Sequence, residues 1–236
     1  MVINKALIIA FYGIDGSGKT TLANLLVKIL RNKQLRVYSI RLRAHHTFTY
    51  LLIRLFFLLK GYDYKSIQGM PAPLNYIIKQ YIGNWKLYVV LEVASLIAWY
   101  MIEVFPRRIL GGKHVVFVAD RFLPDFIVML HYTSNIDESR LAKLYRFLEK
   151  LMSINIVYFN VYVDPYIAVS RKKEEKLYPQ FMLYLAGRYE WINRYLRHYA
   201  IDTTNRTPYE AIVQVLVHLK DLVIERPDIG AHASSI

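Results

Sequence analysis

The sequence predicts an α/β fold in which a five-stranded parallel sheet carries helices on both faces. Three observations lead there. Short apolar runs alternate with segments of helical periodicity along most of the 236 residues, a glycine-rich loop joins the first apolar run to the first amphipathic segment, and acidic turns follow several later runs. Strands that alternate with helices imply crossover connections, and therefore a parallel sheet covered on both sides. In such sheets ligands gather outside the carboxyl ends of the strands.

The elements follow in order. Ala6 to Phe11 is continuously apolar and suits a central parallel strand buried on both faces. Residues 20–31 then repeat Leu22, Leu25, Leu26 and Ile29 at helical spacing, and Leu35 to Ile40 reads as a second strand. Residues 50–59 look helical, and Gly61 to Pro73, with two glycines and two prolines, reads as a loop. From Trp85 to Ile109 the pattern is one long helix, bent or ended at Pro106 and stopped by Gly111-Gly112. His114 to Ala119 is a valine-rich strand, and a short helix or loop follows Asp120-Arg121. Asn135 with Glu138 offers a capping box for a helix to about Met152. Ile154 to Val163 is the next strand, and Asp164-Pro165 caps the helix after it. Residues 178–198 are helical, Tyr199 to Asp202 is a last brief strand, and Thr207 with Glu210 caps a helix to about Val223. The expected organisation is a single domain over residues 1–224, a lid around 171–180 and a frayed tail over 225–236.

Composition narrows the function classes. A chain that is 55% hydrophobic and 14% aromatic is a packed globule rather than a disordered one. It has no cysteine, which excludes disulfides, thiolate chemistry and zinc fingers and is compatible with the reducing cytoplasm, the expected location. The net charge of +13 suits a cleft for an anionic small molecule, a nucleic-acid surface or a merely solvated exterior. The N-terminal apolar run is too short for a membrane span. The longer stretch Leu87 to Phe105, interrupted by Glu92 and Glu103, reads as a buried or partly buried helix, with membrane or dimer contact left open.

Residues 13–20, Gly-Ile-Asp-Gly-Ser-Gly-Lys-Thr, satisfy G-x-x-x-x-G-K-[ST] between a strand and an amphipathic helix, the context in which that pattern is a phosphate-binding loop. Backbone amides of Gly13, Gly16, Ser17 and Gly18 and the helix N-terminus, with Thr20 and Thr21, can enclose the phosphates of ATP. Lys19 would reach the β- and γ-phosphates, and Thr20 would give an oxygen to Mg²⁺. The pattern alone leaves kinase, ATPase and GTPase open. Asp120 and Arg121 follow the third strand. Asp120 could hold magnesium, directly or through water, or fix the acceptor site, and Arg121 can grip a phosphate bidentately. An ordinary strand-end ion pair is the plainer alternative, and the phosphate loop weighs against it. Asp15, inside the loop, is unfavourable beside phosphates without a partner, for which an acceptor's sugar hydroxyl is suited. Arg171 opens the run Arg-Lys-Lys-Glu-Glu-Lys, which is either a solvated helix face or a mobile cover whose cations reach the transferring phosphoryl group. Thr203, in the turn after the last strand, would lie beside the ATP base, although a plain loop accounts for it too. Adjacent His45 and His46 lack a third spaced ligand for a metal.

These segments together resemble the thymidylate kinase family of P-loop nucleoside monophosphate kinases. The resemblance rests on Phe11 to Thr21, on Pro106 to Gly112 leading into Asp120-Arg121-Phe122, on Val163-Asp164-Pro165 with its basic run, and on Ile201-Asp202-Thr203. It implies that ATP and Mg²⁺ are bound, that Asp15 meets the acceptor's 3′-hydroxyl, that Arg121 meets its monophosphate and that Arg171 belongs to the lid. It also implies a homodimer through the helix at 85–109. Two departures stand out. The family's Arg-Glu-Pro-Gly-Gly segment is replaced by Arg41-Leu42-Arg43-Ala44-His45-His46, so that its arginine is Arg41 or Arg43, with Arg54 near the place of a second phosphate-binding arginine. No arginine occurs from Trp85 to Phe105, where the family has one that contacts the thymine base. The expected activity is transfer of the ATP γ-phosphoryl group to a nucleoside monophosphate, dTMP first. The alternatives are a deoxynucleoside kinase, a nucleic-acid-associated ATPase, and a nucleotide-binding structural partner without catalysis.

Overall fold

The computed structural model describes residues 6–42, 55, 58–59, 85–111, 115–134, 136–152, 154–171 and 179–224. The helix expected over 50–59 lies largely outside them, and the loop at 61–73, Arg43, Arg54, His45, His46, the expected cap Asn135, the segment 172–178 and the tail 225–236 lie wholly outside them.

Five strands form one parallel sheet: β1 (Leu7–Tyr12), β2 (Arg36–Ile40), β3 (Val115–Asp120), β4 (Asn155–Tyr162) and β5 (His198–Asp202), in spatial order β2-β3-β1-β4-β5. The helices delimited among the described residues are α1 (Lys19–Asn32), α2 (Trp85–Trp99), α3 (Phe105–Gly111), α4 (Leu123–Ser134), α5 (Glu138–Met152), α6 (Pro165–Arg171), α7 (Pro179–Asn193) and α8 (Pro208–Ile224).

Side chains alternate across a strand, and the central strands show it. Ile8, Ala10 and Tyr12 of β1 join Val115, Phe117 and Ala119 of β3 in one core, which also takes residues of α2, α4, α5 and α7. Ile9 and Phe11, with Val116 and Val118, join the other, which takes Leu22, Leu26 and Leu30 of α1 and Ile212, Val215 and Leu219 of α8. Strands with apolar layers on both faces carry no polar alternation, which is why β1 and β3 read as unbroken apolar runs. The register pairs Phe11 with Asp120 and with Phe159, so the phosphate loop and the Asp120 turn leave the sheet side by side.

The long helix is present as expected and continues through Pro106 rather than ending there. The chain neither ends nor breaks there but passes from α2 into α3 through a π-turn over Tyr100–Val104. Proline at 106 cannot donate to Ile102 and its ring crowds that carbonyl. Widening the preceding turn, so that the Phe105 amide reaches Tyr100 five residues back, accommodates it. The segment after Arg121 is a full twelve-residue helix, α4, rather than a short element. Its apolar residues lie on nearly every side because it is buried nearly all round, which erases a one-faced helical period. The cap of α5 is Asp137, whose Oδ1 accepts the Arg140 amide at 2.9 Å and the Ser139 hydroxyl at 2.7 Å. Asp164 caps α6 through the amides of Tyr166 and Ile167, and Thr207 and Glu210 exchange both bonds of a capping box, as the sequence indicates.

Residues 86–111 form a helix long and apolar enough to cross a membrane by length and composition, with mean hydropathy 1.7 and 33% of that window buried. Its inner side, with Tyr88, Leu96, Tyr100 and Val104, belongs to the sheet's core. Its outer side exposes Leu87, Val90, Ile102 and Leu110, the last two at 70% and 82%.

Candidate functional site

The loop after β1 takes its shape from what surrounds it. Gly13 has φ +137°, and a Cβ there would meet the Val161 carbonyl oxygen of β4 at 2.2 Å. Gly18 has φ +90° with open space where a Cβ would project, so the loop's inner face is bare backbone. Lys19 begins α1 and its ammonium folds back, donating to the Ile14 carbonyl at 2.5 Å and the Ser17 hydroxyl at 3.3 Å. Burial, and the Arg121 cation after it, lower its pKa to about 8, with Asp15, Asp125 and Asp120 opposing.

Asp120 ends β3 within reach of α1. Its Oδ2 accepts the Thr20 hydroxyl at 2.8 Å and lies 3.2 Å from Arg41 Nε, while its buried Oδ1 has no hydrogen-bond partner among the described residues. An orphaned carboxylate oxygen beside a threonine hydroxyl at the mouth of a phosphate loop fits a hard cation such as Mg²⁺. Arg121 comes next, with φ +74°, a left-handed conformation that is uncommon for a side chain of this size. Two bonds hold that turn: the Arg121 amide donates to the Phe11 carbonyl at 2.9 Å, and the Leu42 amide to the Arg121 carbonyl at 3.3 Å. The conformation turns the guanidinium toward the loop, where it pairs with Asp15. The partner that Asp15 requires is thus supplied by the protein itself. The two carboxylates Asp15 and Asp125 outweigh burial and keep Arg121 firmly cationic.

Arg171, the last residue of α6, spans two turns. Its guanidinium donates to the carbonyls of Thr203 at 2.6 Å, Thr204 at 3.2 Å and Gly16 at 3.4 Å. Thr203 is buried, and its hydroxyl donates to the Ser17 carbonyl at 2.9 Å. Both residues therefore tie the β5 turn to the phosphate loop.

These groups border a cavity of about 400 Å³. Asp15, Gly16, Gly18, Lys19, Thr20, Thr21, Arg41, Arg121, Arg171 and Thr203 of the sequence-derived set line it; Gly13 and Ser17 lie in the loop beneath, and Asp120 lies behind Thr20 and Arg41. Among the described residues that line it, five cations, Lys19, Arg41, Arg121, Arg171 and Arg206, face a single carboxylate, Asp15. A share of the +13 charge is thus focused on one cleft, where it raises affinity for polyanions. The sequence reading missed Arg206, which signals nothing in the turn before α8, and Asp125. The latter stands one helical turn beyond Arg121, a spacing that could have flagged it.

Among solved structures, a thymidylate kinase from Ehrlichia chaffeensis matches with TM-score 0.52 and 20% identity, covering 91% of this chain and 99% of that one. No protein-family model matches the sequence, and no curated protein matches it. The chain has the P-loop nucleotide kinase fold of that enzyme, in keeping with the family resemblance carried by its motifs.

Proposed function

We propose that this protein transfers the γ-phosphoryl group of ATP to a nucleoside monophosphate, with dTMP the first acceptor to test. The observation that carries the reading is the cleft at the carboxyl ends of the strands, where a phosphate loop and five cations oppose one carboxylate. In this reading the loop amides and Lys19 bind the ATP phosphates, and Thr203 and Arg171 brace the loop from the β5 side. Thr20 and Asp120 would hold Mg²⁺, which when bound neutralises and orients the β- and γ-phosphates. Arg121 and Arg41 grip the acceptor phosphate, while Asp15 turns from Arg121 to the acceptor's sugar hydroxyl.

An oxygen of the acceptor phosphate, already ionised near neutral pH, bonds to the γ-phosphorus as the bond to the β,γ-bridging oxygen breaks and ADP leaves. No proton needs removal, so alignment and charge stabilisation by Lys19, Arg121 and Arg171 supply the catalysis. The helix from Trp85 to Phe105 offers no guanidinium to a base, which supports weak selection among bases. The exposed apolar side of residues 86–111 pairs with a second copy of the chain in the same reading.

The test is ADP release and product formation with magnesium ATP and a panel of nucleosides and nucleoside monophosphates, repeated without acceptor. Monophosphate-dependent turnover that disappears in a folded Lys19→Ala variant is the expected result. ADP release indifferent to any monophosphate, or normal turnover in that variant, would sink the reading.

A further inference from the structure

Asp125 has so far entered only as a charge acting on Lys19 and Arg121, yet it is among the most thoroughly enclosed carboxylates of the described chain, at 3% exposure. It lies in the first turn of α4, where Oδ2 accepts the Phe122 amide at 3.1 Å. Oδ1 accepts the Tyr189 hydroxyl of α7 at 2.8 Å and stands 3.6 Å from Arg121 Nη1. Burial raises its pKa, opposed by the cations Arg121 and Lys19 and by the Tyr189 and Phe122 bonds. A carboxylate is expensive to bury without such partners.

We infer that Asp125 is a positioning residue, which holds the Arg121 guanidinium in place to receive the acceptor phosphate. The inference rests on the function proposed above. The guanidinium is bracketed by two carboxylates of different standing: Asp15 lines the cleft and is about a third exposed, whereas Asp125 lies behind Arg121 and does not line the cleft. An incoming phosphate can displace Asp15 from the guanidinium. It cannot reach Asp125, which keeps the fork of donors aimed while its front partner is exchanged. Tyr189 fixes Asp125 in turn, and α7 is tied back to β1 by the Tyr12 hydroxyl donating to Asn193 at 2.5 Å.

A competing role, that Asp125 only caps α4, makes the opposite prediction for charge. Asparagine would cap as well, and removing a negative charge near an anion site would tighten acceptor binding. The experiment compares the intact chain with Asp125→Asn and Tyr189→Phe. It measures acceptor KM and kcat, and separately the calorimetric binding of the nucleoside monophosphate in the presence of a non-hydrolysable ATP analogue. Positioning predicts that acceptor affinity falls about ten- to hundredfold in Asp125→Asn, and less in Tyr189→Phe, while ATP affinity holds and both variants stay folded at the assay temperature with a lowered Tm. Acceptor affinity that is unchanged or improved in Asp125→Asn overturns the inference and leaves the kinase reading standing. A chain that binds monophosphate without phosphorylating it refutes the kinase reading, and the binding arm alone then decides Asp125. A chain that neither binds nor phosphorylates any monophosphate refutes both.

Discussion

Raising the pH from about 7 to about 9.5 should stabilise the nucleotide-free protein by about 2 kcal/mol through Lys19 alone. The ammonium is enclosed in the loop, and its pKa of about 8 lies below the ordinary value of 10.5. Between those values the unfolded chain holds more protons than the folded one, so stability rises with pH across that window. Burial of the ammonium costs most below about 8, where both states are protonated, and the cost fades as the folded group releases its proton. For a chain of this size about 2 kcal/mol corresponds to a Tm rise of about 4–8 °C. Nucleotide binding should run the other way. A polyphosphate restores the charged form, so ATP affinity should fall roughly tenfold between about pH 7 and pH 9. The assay is thermal or urea unfolding across pH for the natural protein and for Lys19→Met, whose difference removes every other titrating group. Equal pH slopes in the two proteins, or a natural protein that loses stability relative to the variant across the window, would refute the reasoning.

Two further tests use other features of the site and surface. Because Arg121 sits at φ +74°, Arg121→Gly should be more stable than Arg121→Ala by about 1 kcal/mol, although both lose acceptor affinity; equal unfolding midpoints would remove backbone strain from the account of that turn. If the exposed side of residues 86–111 joins two copies, a double change Ile102→Lys and Leu110→Lys should give a monomer by sedimentation with the ATP site intact, and a natural protein already monomeric at high concentration would refute the pairing.

The elements legible in the sequence are those whose cause is local. The phosphate loop announces itself because glycine is needed where Gly13 would otherwise collide with Val161 and where Gly18 takes a positive φ. The caps at Asp164 and Thr207 are bonds within three residues. The buried strands β1 and β3 show as apolar runs because both faces are covered. Helix α4 is the counter-example: enclosed nearly all round, it carries no one-sided stripe to read.

From the sequence alone came the strand-loop-helix with the phosphate-loop pattern and the identity of its candidate residues, Asp15, Lys19, Thr20, Asp120, Arg121 and Arg171. Tertiary structure decided which of them meet. The Asp15 and Arg121 side chains are 106 positions apart, Arg171 and Gly16 are separated by 155, and Asp125 and Tyr189 by 64. No local pattern encodes such pairings. They arise because a parallel sheet delivers the ends of β1, β3, β4 and β5 to one edge, where charges distant in the chain must neutralise one another or face a ligand.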